Sequence, residues 1–222
     1  MLKPRKRISK REIKEDPLVT YYVRIQKLIQ RYSRQIQIGL AVVLGIVVIA
    51  IFTIRSQQQA ENSAENEMAM AESLYYNQMY DEAADALSRV MENFEGTDAA
   101  GRAAYLMGNI SYQNGEYADA EAYYREYLKS NANDHWFSVP AMAGIAACKE
   151  SMNSPQEAAE WYERAARKYP DNFEAPFQLK NAARCYLAAA DTVRAKKLYH
   201  AILDRYPDSG LTGEIEFIIA AL

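Results

Sequence analysis

The most apolar stretch of the chain lies between Arg34 and Arg55. Residues 36–54 contain no charged side chain, and Gln37 is their only strongly polar residue. These 19 residues would span about 28 Å as an α-helix, close to the hydrocarbon thickness of a bilayer. A helix in a soluble core rarely stays apolar on every face over this length. The pattern therefore predicts a transmembrane helix over residues 35–55.

An amphipathic segment precedes the apolar stretch. Asp16 and Pro17 stand in the order expected of a helix N-cap and a first helical residue. The apolar side chains that follow share one helical face: Leu18, Tyr21, Tyr22, Ile25, Leu28, Ile29 and Tyr32. Residues 17–34 are therefore predicted to be a juxtamembrane helix, which contacts a partner protein, lies on anionic lipid, or only sets the topology. Residues 1–16 are charged, lack an apolar pattern and are predicted to be a disordered basic tail.

After the apolar stretch, the pattern of side chains repeats. An alanine recurs at spacings of 37, 38 and 37 residues, at positions 83, 120, 158 and 195. Four residues after each alanine comes a large side chain: Leu87, Tyr124, Tyr162 and Tyr199. Two helix endings also recur, as Lys168-Tyr-Pro-Asp171 and Arg205-Tyr-Pro-Asp208. A fixed period of this length indicates stacked copies of one supersecondary unit.

The repeating unit resembles the tetratricopeptide repeat (TPR), which is a helix–turn–helix. The best match runs from Ala103 to Ala120 and includes Gly108, Tyr112 and Gly115. The resemblance implies an all-α fold, with an N-terminal transmembrane helix, an α-solenoid of four helix pairs and a C-terminal capping helix. The predicted bounds are a helical linker at 56–63 and a TPR domain at 64–222, with repeats at about 64–97, 101–134, 139–172 and 176–209 and a cap at 211–222. The apolar stripe of the cap consists of Leu211, Ile215, Ile218, Ile219 and Leu222.

Small residues stand where the two helices of such a repeat approach each other. In the first helices these residues are Ala71, Gly108, Ala146 and Ala183. Gly115 suits the turn after a first helix, and Asn153 replaces glycine there in the third repeat. Ser154-Pro155 and Asp191 suit the starts of second helices. The turn chemistry therefore agrees with the helix pairs that the period predicts.

Charge is distributed unevenly along the chain. Residues 1–34 carry 11 Lys/Arg and three Asp/Glu, a net charge of +8, and the remainder carries 15 basic and 26 acidic residues, a net charge of −11. The basic excess before the apolar stretch predicts a single-pass protein of the bacterial inner membrane, with a cytoplasmic N-terminus and a periplasmic TPR domain. A eukaryotic organelle membrane is the alternative. The long apolar stretch and its long leader disfavour a cleaved signal peptide, and the acidic body disfavours nucleic acid as a partner.

The sequence contains no motif of an enzyme. It has no glycine-rich phosphate loop, no Gly-x-Ser-x-Gly, no His-Glu-x-x-His and no Cys-x-x-Cys. Cys148 and Cys185 occupy equivalent places in neighbouring first helices, which pack about 8–10 Å apart, too far for a disulfide. We therefore expect no enzyme activity, cofactor, metal or small-molecule substrate, and two buried free cysteines.

Binding residues follow from the resemblance, because TPR proteins bind ligands in a groove lined by first helices. The implied groove residues are Met68, Glu72 and Tyr75 in repeat one, Tyr105, Asn109 and Tyr112 in repeat two, Glu150 in repeat three, and Phe177, Lys180 and Arg184 in repeat four. Some of the tyrosines would instead pack between repeats. In repeat three, Ala143 and Ala147 predict a shallow spot. The clamp for a C-terminal carboxylate is not expected, because Tyr105 replaces its lysine and Gly144 its next asparagine.

The whole layout resembles bacterial inner-membrane TPR proteins that are ancillary subunits of the Sec translocon. The resemblance implies a membrane-anchored adaptor or scaffold in periplasmic protein translocation or envelope assembly. Its partners would be other proteins, namely translocon subunits, chaperones or an envelope complex, in addition to the lipid bilayer. The alternative is a structural accessory subunit of one membrane complex, held through the juxtamembrane or transmembrane helix.

Overall fold

The computed structural model describes residues 17–130 and 135–222, and the predicted tail of residues 1–16 lies outside them. Over these ranges the chain forms nine α-helices and no strand, so the predicted all-α class is confirmed. The helices are α1 (Pro17–Tyr76), α2 (Tyr80–Asn93), α3 (Asp98–Gln113), α4 (Tyr117–Ser130), α5 (His135–Ser151), α6 (Pro155–Lys168), α7 (Ala175–Ala188), α8 (Thr192–Arg205) and α9 (Thr212–Ala221). The chain divides into two compact units, Met1–Ser56 and Gln57–Leu222.

The first unit contains the N-terminal part of α1, which is described from Pro17. Its large apolar side chains are exposed through the predicted membrane segment; Phe52, for example, is 72% exposed. In the described part of the chain one helical segment, Gln37–Tyr76, is long and apolar enough to cross a membrane, and its most apolar window is not buried by protein. An apolar surface of this length without protein cover suits the interior of a bilayer.

The second unit is built from helix pairs. The C-terminal part of α1 shares a core with α2, and α3–α4, α5–α6 and α7–α8 form three further pairs. Helix α9 packs against α8 and covers the fourth pair. The predicted order of four pairs and a cap is therefore confirmed.

Alanines hold the helices of each pair close together. The four repeating alanines are fully buried, as are the first-helix alanines predicted to meet them: Ala83, Ala120, Ala158 and Ala195, with Ala71, Ala146 and Ala183. A short side chain at the crossing lets the two helix axes approach. The larger residues four positions later complete the core, because Leu87, Tyr124, Tyr162 and Tyr199 are all buried.

Each helix pair turns through one residue with a left-handed backbone. These residues are Gln78, Gly115, Asn153 and Ala190, with φ of 63°, 81°, 58° and 60°. In all four turns the N–H of the following residue donates to the carbonyl five residues back, over 2.8–3.0 Å. This is the Schellman closure of a helix, for which glycine is the usual residue and asparagine the next best. Gly115 and Asn153 therefore stand where the sequence predicts them.

The starts of the helices are capped by different groups. The Asp191 carboxylate accepts the backbone N–H three residues on, at 3.0 Å, which is the expected N-cap bond. Ser154 precedes α6, but its side chain makes no capping hydrogen bond. At α3 the carboxylate of Glu61, from α1, accepts the N–H groups of residues 98 and 99 at 3.1 and 3.2 Å. An anion at a helix N-terminus is favourable, so this contact ties repeat one to repeat two.

The cap buries only part of its predicted apolar stripe. Leu211 and Ile215 are buried, and Ile218 and Ile219 are partly buried against the fourth pair. Leu222 is instead 41% exposed at the end of the chain.

Candidate protein-binding groove

A cavity of about 310 Å³ lies along the first helices of repeats two, three and four. Its lining, called here the groove cavity, consists of Asn109 and Tyr112 from α3, Tyr124 from α4, Pro140, Ala143, Gly144 and Ala147 from α5, Tyr162 from α6, and Gln178 and Asn181 from α7. The shallow spot predicted from Ala143 and Ala147 therefore forms part of a cavity whose tyrosines come from three different helices. Small residues of α5 leave the space that these larger side chains surround.

The Tyr124 ring is held between two glycines. A Cβ atom built on Gly108 would lie 2.8 Å from this ring, and one on Gly144 only 2.6 Å from it. The phenol donates a hydrogen bond to Asn109 Oδ1 at 2.8 Å. Burial raises the pKa of Tyr124 well above its ordinary value, so its phenol stays neutral and continues to donate. Gly144 is thus a packing requirement of the cavity wall.

In repeat one the predicted groove residues do not line the cavity. Met68 is fully buried with Ala64 and Ala71, so its assignment to an open groove is wrong. It lies four residues after one buried alanine and three before the other, on the core face of the helix. Glu72 approaches Arg102 at 3.8 Å. Tyr75 is half-buried and packs edge-on against Tyr76 and Tyr80, with ring centroids 5.4 and 5.7 Å away.

The predicted residues of repeat two divide between groove and core. Asn109 and Tyr112 line the groove cavity. Tyr105 instead packs in a cluster of rings, with centroids 5.3–5.9 Å from those of Tyr124, Tyr127 and Phe137. Tyr105 is therefore one of the tyrosines that pack between repeats, which the sequence analysis gave as the alternative to a groove position.

The charged residues predicted in repeats three and four are paired. Arg184 donates two hydrogen bonds to the Glu150 carboxylate, over 2.5 and 2.8 Å. Arg184 holds the pKa of Glu150 below its ordinary value. Lys180 bridges to Glu214 of the cap at 3.0 Å. Of the predicted set in these repeats, only Phe177 is apolar, and it lines a different cavity of about 620 Å³ between the Tyr-Pro-Asp loops.

Sequence reasoning missed the two amide residues of α7 in the cavity, Asn181 and Gln178, of which Gln178 is the more deeply buried. It is only 6% exposed. Its Nε2 donates to Glu174 Oε2 at 3.3 Å, whereas its Oε1 is buried with no hydrogen-bond partner among the described residues. A buried acceptor left in this state costs about 1–3 kcal/mol. The available signal was an uncharged polar residue within an apolar run of α7.

Cys148 and Cys185 are free and buried, as predicted. Burial raises the pKa of Cys148 to about 11 and that of Cys185 to about 12, so both thiols stay protonated at neutral pH. Across the described ranges no three His, Cys, Asp or Glu side chains come together as metal ligands.

Comparison with protein families identifies the solenoid. Two family models, both described as tetratricopeptide repeat, match residues 68–135 and 151–211. The chain therefore belongs to the tetratricopeptide repeat superfamily. No curated protein matches the chain.

A solved structure of TPR-like repeats superposes on most of the chain. A crystal structure of nearly identical TPR-like repeats from Podosopora anserina is 18% identical, covers 86% of this chain and 96% of its own, and superposes with a TM-score of 0.53. The Yersinia enterocolitica type III secretion chaperone SycD, in complex with a peptide of the translocator YopD, is 19% identical and covers 53% of this chain and 88% of its own, with a TM-score of 0.44. At these identities the similarity concerns the fold alone.

Proposed function

We propose that this protein is a membrane-anchored adaptor whose TPR groove binds segments of other proteins. The observation that carries the proposal is the groove cavity, to which the first helices of three successive repeats contribute. Tyrosines line it beside small residues, and aromatic side chains supply much of the binding energy at protein interfaces. TPR domains are in general scaffolds for protein interaction, and the sequence contains no motif that supports catalysis.

The anchor is the apolar helix, with its N-terminus in the cytoplasm. The exposed apolar segment of α1 and the change from a basic to an acidic chain across it support this orientation. In a Gram-negative bacterium the TPR domain then lies in the periplasm. Protease added to spheroplasts is expected to digest the TPR domain and to spare an N-terminal tag. Digestion of the tag alone would indicate the opposite orientation.

The resemblance to ancillary Sec-translocon subunits supports a role in periplasmic protein translocation or envelope assembly. Partners of such an adaptor are translocon subunits, periplasmic chaperones and the exported proteins themselves. The adaptor needs both its anchor, which holds it beside the membrane complex, and its groove, which holds the client.

Capture of proteins by a variant with a blocked groove tests the proposal. We expect Ala147→Tyr to fill the groove cavity, and the equivalent positions in the other repeats carry side chains larger than alanine, namely Glu72, Asn109 and Arg184. The matched control is Ala118→Tyr at an exposed position of α4. After mild-detergent purification, Ala147→Tyr should lose co-purifying periplasmic proteins and the control should keep them. Equal capture by both variants would remove the groove from the function.

The second candidate function is a structural accessory subunit of one membrane complex. The specific observation in its favour is the exposed apolar face before the membrane segment, where Tyr21, Tyr22, Leu28 and Ile29 are 68%, 67%, 55% and 52% exposed. Removal of residues 2–33 should then abolish co-purification of the membrane subunits. The adaptor proposal instead expects periplasmic partners to be retained by this truncated protein.

A further inference from the structure

The groove cavity contains a hydrogen-bond acceptor that lacks a donor. Gln178 donates through Nε2 to the Glu174 carboxylate at 3.3 Å. Because a carboxylate oxygen only accepts, the amide of Gln178 must point its nitrogen toward Glu174 and its oxygen away from it. That oxygen is buried and unpartnered among the described residues, and Gln178 lines the cavity. A ligand that carries an N–H would supply the missing donor.

The groove cavity carries no charge to match a charged ligand. The ten described residues that line it are all neutral. Near the cavity, Glu150 and Arg184 neutralise each other through two hydrogen bonds, and the Glu174 carboxylate accepts the hydrogen bond from Gln178. An ionised group that entered the cavity would find no opposite charge among the side chains that line it. A neutral ligand group therefore suits this lining.

The size and shape of the cavity favour a short stretch of polypeptide. Its volume of about 310 Å³ is at the lower end of the range for ligand sites. The α5 side, at Ala143 and Ala147, leaves room for a backbone, and Tyr112 offers apolar ring surface beside it. An extended polypeptide presents neutral N–H groups that are not paired within the strand itself.

We propose that the groove cavity binds an extended, uncharged polypeptide segment with small or apolar side chains, and that a main-chain N–H of this segment donates to Gln178 Oε1. This inference rests on the proposed adaptor function and specifies the chemistry of its client. Recognition through the main chain leaves the side-chain sequence largely free, as suits a protein with many clients. Binding is insensitive to salt, because no ion pair forms.

Peptide binding to the full-length protein in mild detergent tests the inference. The probes are a library of short acetylated and amidated peptides composed of Ala, Val, Leu, Ser and Asn, and the same peptides with a central Asp or Lys. Fluorescence anisotropy of labelled peptides is expected to show binding of the neutral set at low and at raised salt. Each charged set should bind about tenfold more weakly or worse.

Two changes remove the proposed hydrogen bond from opposite sides. Gln178→Met keeps the length of the side chain and removes the acceptor, and N-methylation of the central peptide amide removes the donor. Each should weaken binding about tenfold. The matched control is Gln156→Met, because Gln156 makes the same kind of bond, to Glu160 at 3.1 Å, outside the cavity. Its affinity should equal that of the unaltered protein.

The outcomes separate this inference from the proposed function. Preferential binding of charged peptides, no binding of any neutral peptide, or unchanged binding by Gln178→Met together with tight binding of the N-methylated peptide would overturn the ligand assignment. If Ala147→Tyr still abolishes capture of cellular proteins in that case, the adaptor function stands and only its ligand chemistry is wrong. If Ala147→Tyr leaves capture intact, the groove function itself fails.

Discussion

At the residue scale, glycine and alanine determine how closely neighbouring helices pack around the groove cavity. Tyr124 is 4% exposed and fills the space between Gly108 and Gly144, which stand on different first helices. Neither glycine has a left-handed backbone, so the absence of a side chain, and not conformational freedom, explains both. The small side chains of Ala143 and Ala147 likewise leave the cavity open.

We expect Gly144→Ala to lower the free energy of unfolding by about 1–3 kcal/mol, because its methyl group would lie 2.6 Å from the Tyr124 ring. Urea unfolding followed by tryptophan fluorescence measures this, since Trp136 and Trp161 both belong to the TPR domain. Gly213→Ala in α9 is the matched control, because nothing lies within 4 Å of its added Cβ. That helical substitution should stabilise the protein by roughly 0.5–1 kcal/mol. Equal effects of the two changes would refute the close packing.

The turn residues give a second prediction with the opposite sign. Ala190 has φ of 60°, a conformation that is unfavourable for any residue with a Cβ atom. Ala190→Gly should therefore raise the free energy of unfolding by about 0.5–1 kcal/mol. Ala189→Gly next to it, where φ is −85°, should lower it by a similar amount. A loss of stability in both variants would contradict the assigned turn.

At the element scale, charged pairs connect the first helices of successive repeats. Arg102 of α3 bonds Glu65 of α1 at 2.7 Å, and Arg184 of α7 bonds Glu150 of α5. The partners are 37 and 34 residues apart, close to the repeat period. These bonds hold neighbouring first helices in register along the groove and leave its charges neutralised.

The Glu150–Arg184 pair predicts acid sensitivity of the solenoid. The pKa of Glu150 in the folded protein is below its ordinary value of 4.5, because Arg184 binds the ionised form. Its contribution, at most about 1 kcal/mol for a partly exposed pair, is therefore present above pH 4.5 and is lost as the pH falls through the lowered value. Glu150→Gln should flatten the decrease in urea midpoint between neutral and acid pH. Glu126→Gln, at an exposed position of α4, is the control that should retain the full decrease.

The repeats could be read from the sequence, whereas the groove could be read only in part. The alanines at 83, 120, 158 and 195 were predictable because a buried helix crossing needs a small residue once per period. Met68 was misassigned because the face that a helix exposes depends on which neighbour covers it. Gln178 was not predicted because the feature that marks it is an acceptor oxygen without a donor, which only the packed structure shows. The pairing of Glu150 with Arg184 could have been predicted from opposite charges 34 residues apart, close to the repeat period.

At the scale of the whole molecule, the chain combines two surfaces of different character. One unit exposes an apolar helix preceded by basic residues, and the other is an acidic TPR solenoid with a neutral cavity. In the proposed adaptor, the anchor restricts the solenoid to the membrane surface, where the local concentration of partners in the same membrane is high. This combination distinguishes the proposed adaptor from a soluble TPR protein with the same groove.

The most direct test of the central claim is photo-crosslinking in cells from the groove. A photoreactive aromatic residue replaces Tyr112, which lines the cavity, and the control position is Val193, which is 81% exposed on α8. Mass spectrometry of the adducts is expected to identify periplasmic client proteins from position 112, none from position 193, and none from position 112 when Ala147→Tyr is also present. Adducts that are equal at both positions, or that persist with Ala147→Tyr, would contradict a protein-binding groove.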